Sequence, residues 1–155
     1  MSTVTVWRLS RKVYASESYS GEGSRRYGGR WSPIGLSVAY SAESRSLAAL
    51  EVLVNVRDPK LLFAQPWVMI AAKIPSDVIE RPTRVPDEWR ATPYPRATQT
   101  FGAEWVRAAR SAVLRVPSTV VLGEFNYLLN PAHPDFSAIR RRKPRPFQFD
   151  PRLKG

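Results

Sequence analysis

An α+β fold in one domain is what this sequence predicts, and three observations predict it. A chain of 155 residues has the length of one domain with a core of its own. Its 43% hydrophobic content is that of a folded globule rather than a disordered chain. Its strand-like and helix-like segments run β–loop–β–α–β–loop–α–β–β, without the regular alternation of a doubly wound sheet.

Residues 4–9 alternate and are rich in β-branched side chains, which makes them a strand. A Gly-, Ser- and Arg-rich loop over 18–29 follows and delivers Arg30 and Trp31 to a Ser-Pro-Ile-Gly turn at 32–35. Residues 36–40 form a short second strand with Leu36, Val38 and Tyr40 on one face. A helix begins among the hydroxyls of Ser41-Ala-Glu-Ser-Arg and runs to about Asn55. Its apolar stripe is Leu47, Leu50, Leu53 and Val54, and Glu51 falls at the margin of that stripe, partly sheltered. The continuous apolar run over 67–74 is a buried strand. The connection over 81–96, with Pro82, Pro86, Pro93 and Pro95, is long for a compact domain, and such loops are often lids or binding segments. Phe101, Trp105, Ala108, Ala109 and Ala112 mark a second helix. Residues 118–122 form a strand, the segment 124–131 follows, and 147–150 is the last strand.

Composition excludes several chemistries. The chain has no cysteine and one histidine, so disulfides, cysteine zinc sites, cysteine nucleophiles and paired-histidine metal sites are ruled out. The formal charge of +11 calls for an anionic partner: nucleic acid, an acidic protein or a phosphorylated small molecule. Much of it is terminal. The last sixteen residues hold seven basic side chains and only Asp150 as an acid. No apolar run approaches the roughly 18 residues a membrane span requires, and no signal-peptide core stands at the start, so a cytoplasmic protein is expected.

The glycines at 21, 23, 28 and 29 match neither G-x-G-x-x-G nor a Walker pattern, and no helix is expected after them. They form a flexible loop near which Arg25, Arg26 and Arg30 are able to hold an anion. Glu51 is either a solvated surface carboxylate or a sheltered functional one. Tyr40 is either plain core or a face for a ligand, and Arg30 either packs on Trp31 or binds. The run Arg140-Arg-Arg-Lys-Pro-Arg145 is a solvated segment, a patch for an acidic partner or a nucleic-acid contact. No zinc finger, RNP-like strand or helix-turn-helix accompanies it. His133, between Pro131 and Pro134, braces a turn.

In order along the chain, Gly28-Gly-Arg-Trp-Ser-Pro-Ile-Gly35, Val38-Ala-Tyr-Ser-Ala-Glu43 and Leu47-Ala-Ala-Leu-Glu-Val-Leu-Val54 resemble the N-terminal half of the RES domain. Val116-Pro-Ser-Thr-Val-Val121, Glu124-Phe-Asn-Tyr-Leu-Leu-Asn-Pro-Ala-His-Pro134 and Phe149-Asp-Pro-Arg-Leu153 resemble its second half. The resemblance implies one RES domain over 1–155, with the basic segment 140–155 completing or extending it. It also implies an ADP-ribosyltransferase-like α+β fold: a central split, mixed or antiparallel sheet flanked by helices.

The Arg, Glu and Ser that name the family fall on Arg30, Glu51 and Ser118. The resemblance implies a toxin of a bacterial toxin–antitoxin pair that takes NAD+ as substrate and uses no metal. Two activities follow from it: depletion of NAD+ by hydrolysis or phosphorolysis, or transfer of ADP-ribose to a specific protein. The catalytic set it implies is Glu51, Arg30 and Tyr40, with Arg8, Ser118 and Asn126 as further contacts to the dinucleotide. Arg30 stands where diphtheria-like enzymes use histidine. The implied partner is an acidic antitoxin with a repressor-like helix-turn-helix domain, in a homodimer or larger toxin–antitoxin complex, without direct nucleic-acid or membrane binding. A basic nucleic-acid-binding module is the distant alternative, resting on 140–145.

Overall fold

The alternation at the start of the chain gives strand β1 (Thr3–Arg11), which pairs along its whole length with β3 (Trp67–Pro75). The computed structural model describes residues 2–153. The two strands are antiparallel, and their alternating side chains divide two cores. Val6, Val68, Ile70 and Ile74 face one side of the sheet; Leu9, Trp67 and Met69 face the other.

A second ladder is built from β2 (Ala39–Ala42), β5 (Val113–Pro117) and β6 (Phe125–Leu129), all antiparallel, with β4 (Ile79–Glu80) parallel to β5 at its edge. The basic run supplies β7 (Arg140–Arg141) and β8 (Arg145–Phe147), both on the free edge of β3. The resulting eight-stranded mixed sheet runs β4-β5-β6-β2-β1-β3-β7, with β8 also on β3. Its halves meet at a seam, because β1 and β2 share only the pair Trp7–Ala42. The sheet is thus mixed and split, as the family resemblance implies.

Helices α2 (Arg45–Asn55) and α3 (Arg96–Ala108) cover the same face, α2 over the β1–β3 half and α3 over the β5–β6 half. Leu47 and Ala48 of α2 pack with Leu9, Ala42 and Met69. Trp105 of α3 packs with Trp31, Leu114, Val116 and Leu128.

Several boundaries differ from expectation, each for a local reason. The glycine-rich loop holds a short helix, α1 (Glu22–Tyr27), where Glu22 takes both Arg25 and Arg26 as ion-pair partners one turn on. Strand β2 begins at Ala39, not at 36, because Ser24 Oγ takes the amide of Val38 at 3.0 Å and donates to the Leu36 carbonyl at 3.1 Å. It runs on through Ser41 and Ala42, and the cap of α2 is Ser44, whose Oγ accepts from the Leu47 amide at 3.1 Å.

The expected stripe on α2 is rotated. Leu47 and Ala48 are buried, whereas Leu50 and Val54 are 38% and 61% exposed. The small Ala48 lets the helix approach the sheet on that side, which turns Glu51 inward. α3 begins at Arg96, earlier than expected, and leaves Ala112 outside it. The expected strand over 118–122 is a turn, because Ser118 Oγ captures the amides of Val120 and Val121 at 3.0 and 3.1 Å. The strand is Val113–Pro117 instead. The last strand ends at Phe147, and Phe149 beyond it is buried edge-on against Trp67.

Candidate functional site

A cavity of about 1200 Å³ opens over the seam, bounded by α2, the Arg30 loop and the proline-rich connection. Its lining includes Arg8 of β1, Tyr40 of β2, Glu51 of α2, Asn126 of β6 and the Arg30 loop, so the sites foreseen on separate elements converge. Its outer wall is a stretch of the proline-rich connection, which contributes Arg90, Ala91, Thr92 and Tyr94. Its size suits a ligand at or above the upper end of drug-like pockets.

Glu51 is the half-buried carboxylate of the cavity. Burial pushes its pKa above the usual value. Hydrogen bonding from Ser118, the nearby Asn126 amide and the Arg30 guanidinium each pull it back down. Ser118 Oγ donates to Glu51 Oε1 at 3.2 Å. Ser118 is only 1% exposed and is not among the residues lining the cavity, and its hydroxyl is directed at Glu51. Asn126 lines the cavity, with its amide donating to the Ser41 carbonyl at 3.4 Å.

Tyr40 presents its ring to the cavity while its hydroxyl is committed elsewhere. That hydroxyl accepts from the Trp31 amide at 3.0 Å and shares a hydrogen bond with Ser32 Oγ at 2.8 Å. Burial pushes its pKa to about 12. The loop passes so close that a Cβ on Gly29 would stand 2.7 Å from the tyrosine oxygen, which is why glycine sits there. Gln99 of α3 also holds the loop, donating to the Gly29 carbonyl at 3.1 Å. Tyr40 is thus a fixed wall and a post for the loop that carries Arg30.

Arg30 is tethered through one nitrogen of its guanidinium. Its Nη1 donates to the carbonyls of Trp89 at 2.9 Å and Ala91 at 2.6 Å, and its guanidinium lies 5.7 Å from the Tyr94 ring centroid. Desolvation lowers its pKa; Glu51 and Tyr94 raise it.

Arg8 is the deeper cation. Its Nη1 crosses the seam to the Tyr40 carbonyl at 2.7 Å, and its Nε is buried without a hydrogen-bond partner. Desolvation lowers its pKa, and no carboxylate pairs with it among the described residues. A buried cation left partly unsatisfied beside a cavity is an electrostatic invitation to an anionic ligand.

The residues sequence reasoning missed are those of the proline-rich segment: Trp89, packed beside Trp31 and Trp105, and Tyr94. Its length and prolines were the available signal, but they do not say which side chain faces inward. His133 braces a turn as expected. Its Nδ1 accepts from the Asp135 amide, and its Nε2 hydrogen-bonds the Ala109 carbonyl, both at 3.0 Å. The basic run is partly structural, since Arg141 donates to the carbonyls of Ala15 and Ser16. Among the described residues, no three His, Cys, Asp or Glu side chains cluster as a metal site would need, and no helix is long and apolar enough to cross a membrane.

The RES domain model matches residues 5–150, and the chain belongs to the RES domain family. It is 35% identical to the Prs ADP-ribosylating toxin of Sphingobium sp. strain YBL2, with 97% of each chain covered. It is 37% identical to a protein named Toxin Res of Yersinia enterocolitica, covering 96% of this chain and 99% of that one. Its fold is similar to a chain of the M. tuberculosis MbcT–MbcA toxin–antitoxin complex, with a TM-score of 0.77 over 95% of this chain and 85% of that one, at 17% sequence identity.

Proposed function

We propose that this chain is a toxin that takes NAD+ into the cavity over the seam and cleaves the bond between nicotinamide and ribose. The observation that carries the reading is the Glu51 carboxylate: half-buried in the cavity wall, oriented by Ser118 and facing guanidinium groups that suit phosphate. Relatives named as toxins across nearly the whole chain support the same reading.

The chemistry suits these residues. As the C1′–N bond breaks, its electron pair moves to the pyridinium nitrogen, so nicotinamide leaves neutral and needs no general acid. Positive charge develops on the ribose, and a preoriented carboxylate in a partly desolvated site stabilises it. The ribosyl cation is then captured by an acceptor: water, with loss of a proton, or phosphate. Tyr40 supplies a fixed aromatic wall against nicotinamide. Arg8 and Arg30 both line the cavity and are the cations available to the pyrophosphate.

The second reading uses the same site with a protein nucleophile as acceptor, making the chain a mono-ADP-ribosyltransferase. The printed name of the Sphingobium relative, an ADP-ribosylating toxin, favours it. The partner we assign is an antitoxin, on the likeness to a toxin–antitoxin complex. An acidic antitoxin with a helix-turn-helix domain would meet the exposed Arg140, Arg142 and Arg145.

The test is nicotinamide release from NAD+ by the purified chain, with and without phosphate, alongside labelled NAD+ added to a bacterial lysate. Turnover is expected, with Glu51→Ala slower by about 10² or more. Free ADP-ribose or its phosphate marks the first reading, and one labelled protein band the second. A wild-type protein that releases no nicotinamide in either setting overturns both.

A further inference from the structure

Arg30 is the family's named arginine, and its Nη1 is committed to the protein's own backbone. Both carbonyls it meets, Trp89 and Ala91, belong to the proline-rich segment, and the same guanidinium lies against the ring of Tyr94. Between β4 and α3 that segment enters no ladder of the sheet, so its position depends on such contacts. Trp89 anchors it at one end by packing beside Trp31 and Trp105. From that anchor, Arg90, Ala91, Thr92 and Tyr94 run along the cavity as its outer wall.

Tyr94 is the aromatic residue of this stretch beyond the anchor, and it is 43% exposed, with no hydrogen bond from its hydroxyl. A large aromatic side chain left half in water at the lip of a cavity is an unmet contact surface. It stands within electrostatic reach of Arg30 and Tyr40, the residues around the Glu51 carboxylate.

We infer that Tyr94 is a further substrate-contacting residue, a second aromatic wall for the planar base of the substrate. Arg30 is the positioning residue that holds its strap in place. The inference rests on the NAD+ reading above. It gives Arg30 a task in the strap: Nη1 acts on the substrate through the carbonyls of Trp89 and Ala91. The segment is then where this chain sets its grip on the base, and the fixed ring of Tyr40 is the other wall of the same cavity.

The experiment is a double-mutant cycle on KM for NAD+, with kcat read separately. Tyr94→Ala and Arg30→Lys each raise KM about tenfold, in the range expected for one lost aromatic contact, while kcat stays within about threefold. Tyr94→Trp keeps an aromatic face and restores a KM near wild type, which a merely structural role would not do. Because Arg30 acts through Tyr94, the double variant has the KM of Tyr94→Ala alone. Hydrogen exchange of the full chain gives a readout free of turnover: Arg30→Lys speeds exchange across the strap, and Tyr94→Ala does not.

Effects of Arg30→Lys and Tyr94→Ala that multiply in the double variant overturn the inference, since Arg30 then touches the substrate itself. So does a Tyr94→Ala protein with an unchanged KM. Both results leave the NAD+ reading intact, because wild type still turns over. A wild type without turnover instead removes the NAD+ reading, and this inference with it.

Discussion

α3 buries Thr98, Gly102, Ala103 and Trp105, whereas α2, on the same face of the same sheet, buries only Leu47 and Ala48 and turns a carboxylate inward. α3 packs its backbone so tightly that a Cβ on Gly102 would run into the Trp31 carbonyl. α2 leaves Leu50 and Val54 in water and keeps room beside Glu51. One helix is packed for rigidity, and through Gln99 and Trp31 it fixes the loop that carries Arg30. The other gives up apolar contact to hold a charged group at the edge of a cavity. Tight packing falls to one helix and the cavity carboxylate to the other.

The contrast breaks most visibly on the α3 side. Gly102→Val forces the helix off the Trp31 loop and costs about 3 kcal/mol or more. That lowers Tm by roughly 10 °C in a thermal melt for a chain of this size. A variant melting with wild type would show α3 to be no more tightly packed than α2.

On the α2 side the signs of stability and activity oppose each other. Burial raises the Glu51 pKa, so the folded state binds that proton more tightly than the unfolded chain does. The contribution of Glu51 to stability is full at low pH and is lost as pH rises through the raised pKa. Glu51→Gln removes the cost of ionisation and keeps an oxygen for Ser118. It should melt about 2 °C higher than wild type at neutral pH. The gain should vanish below the ordinary glutamate value of 4.5, where both side chains are neutral. Its nicotinamide release should be lower by about 10² or more.

The smallest effect sharpens the comparison further. Ser118 donates to Glu51 and so favours the ionised carboxylate. In the proposed NAD+ cleavage the ionised form is the active one, so activity should fall as pH drops through the raised Glu51 pKa. In Ser118→Ala that acid limb should move to higher pH, with kcat at neutral pH lower by about tenfold. An acid limb left in place would mean that Ser118 only caps its turn.

Much of this was legible where local chemistry decides. The β1 alternation, the apolar run of β3, the turn at His133 and the position of Glu51 near the inner face of α2 all follow from short-range pattern. Misreadings arose where a side chain far along the chain, or a polar atom, overrode propensity. The β-branched Thr119, Val120 and Val121 look like a strand, but the Ser118 hydroxyl takes the amides of Val120 and Val121 and ends the ladder. The leucine stripe of α2 points the helix one way, and the closer approach permitted by Ala48 turns it another. The work of Arg30 was hidden because its partners, Trp89 and Ala91, lie some sixty residues away on a segment with no periodicity.

The seam has a mechanical meaning. A sheet is stiff where ladders run along it, and between β1 and β2 the ladder is reduced to one pair, with the Arg8 guanidinium reaching across to Tyr40 beside it. Two stiff plates joined at a single rivet bend at the rivet. The floor of the cavity is therefore the line of the sheet with the fewest rungs, set between a β1–β3 plate and a β5–β6 plate that each keep their full register.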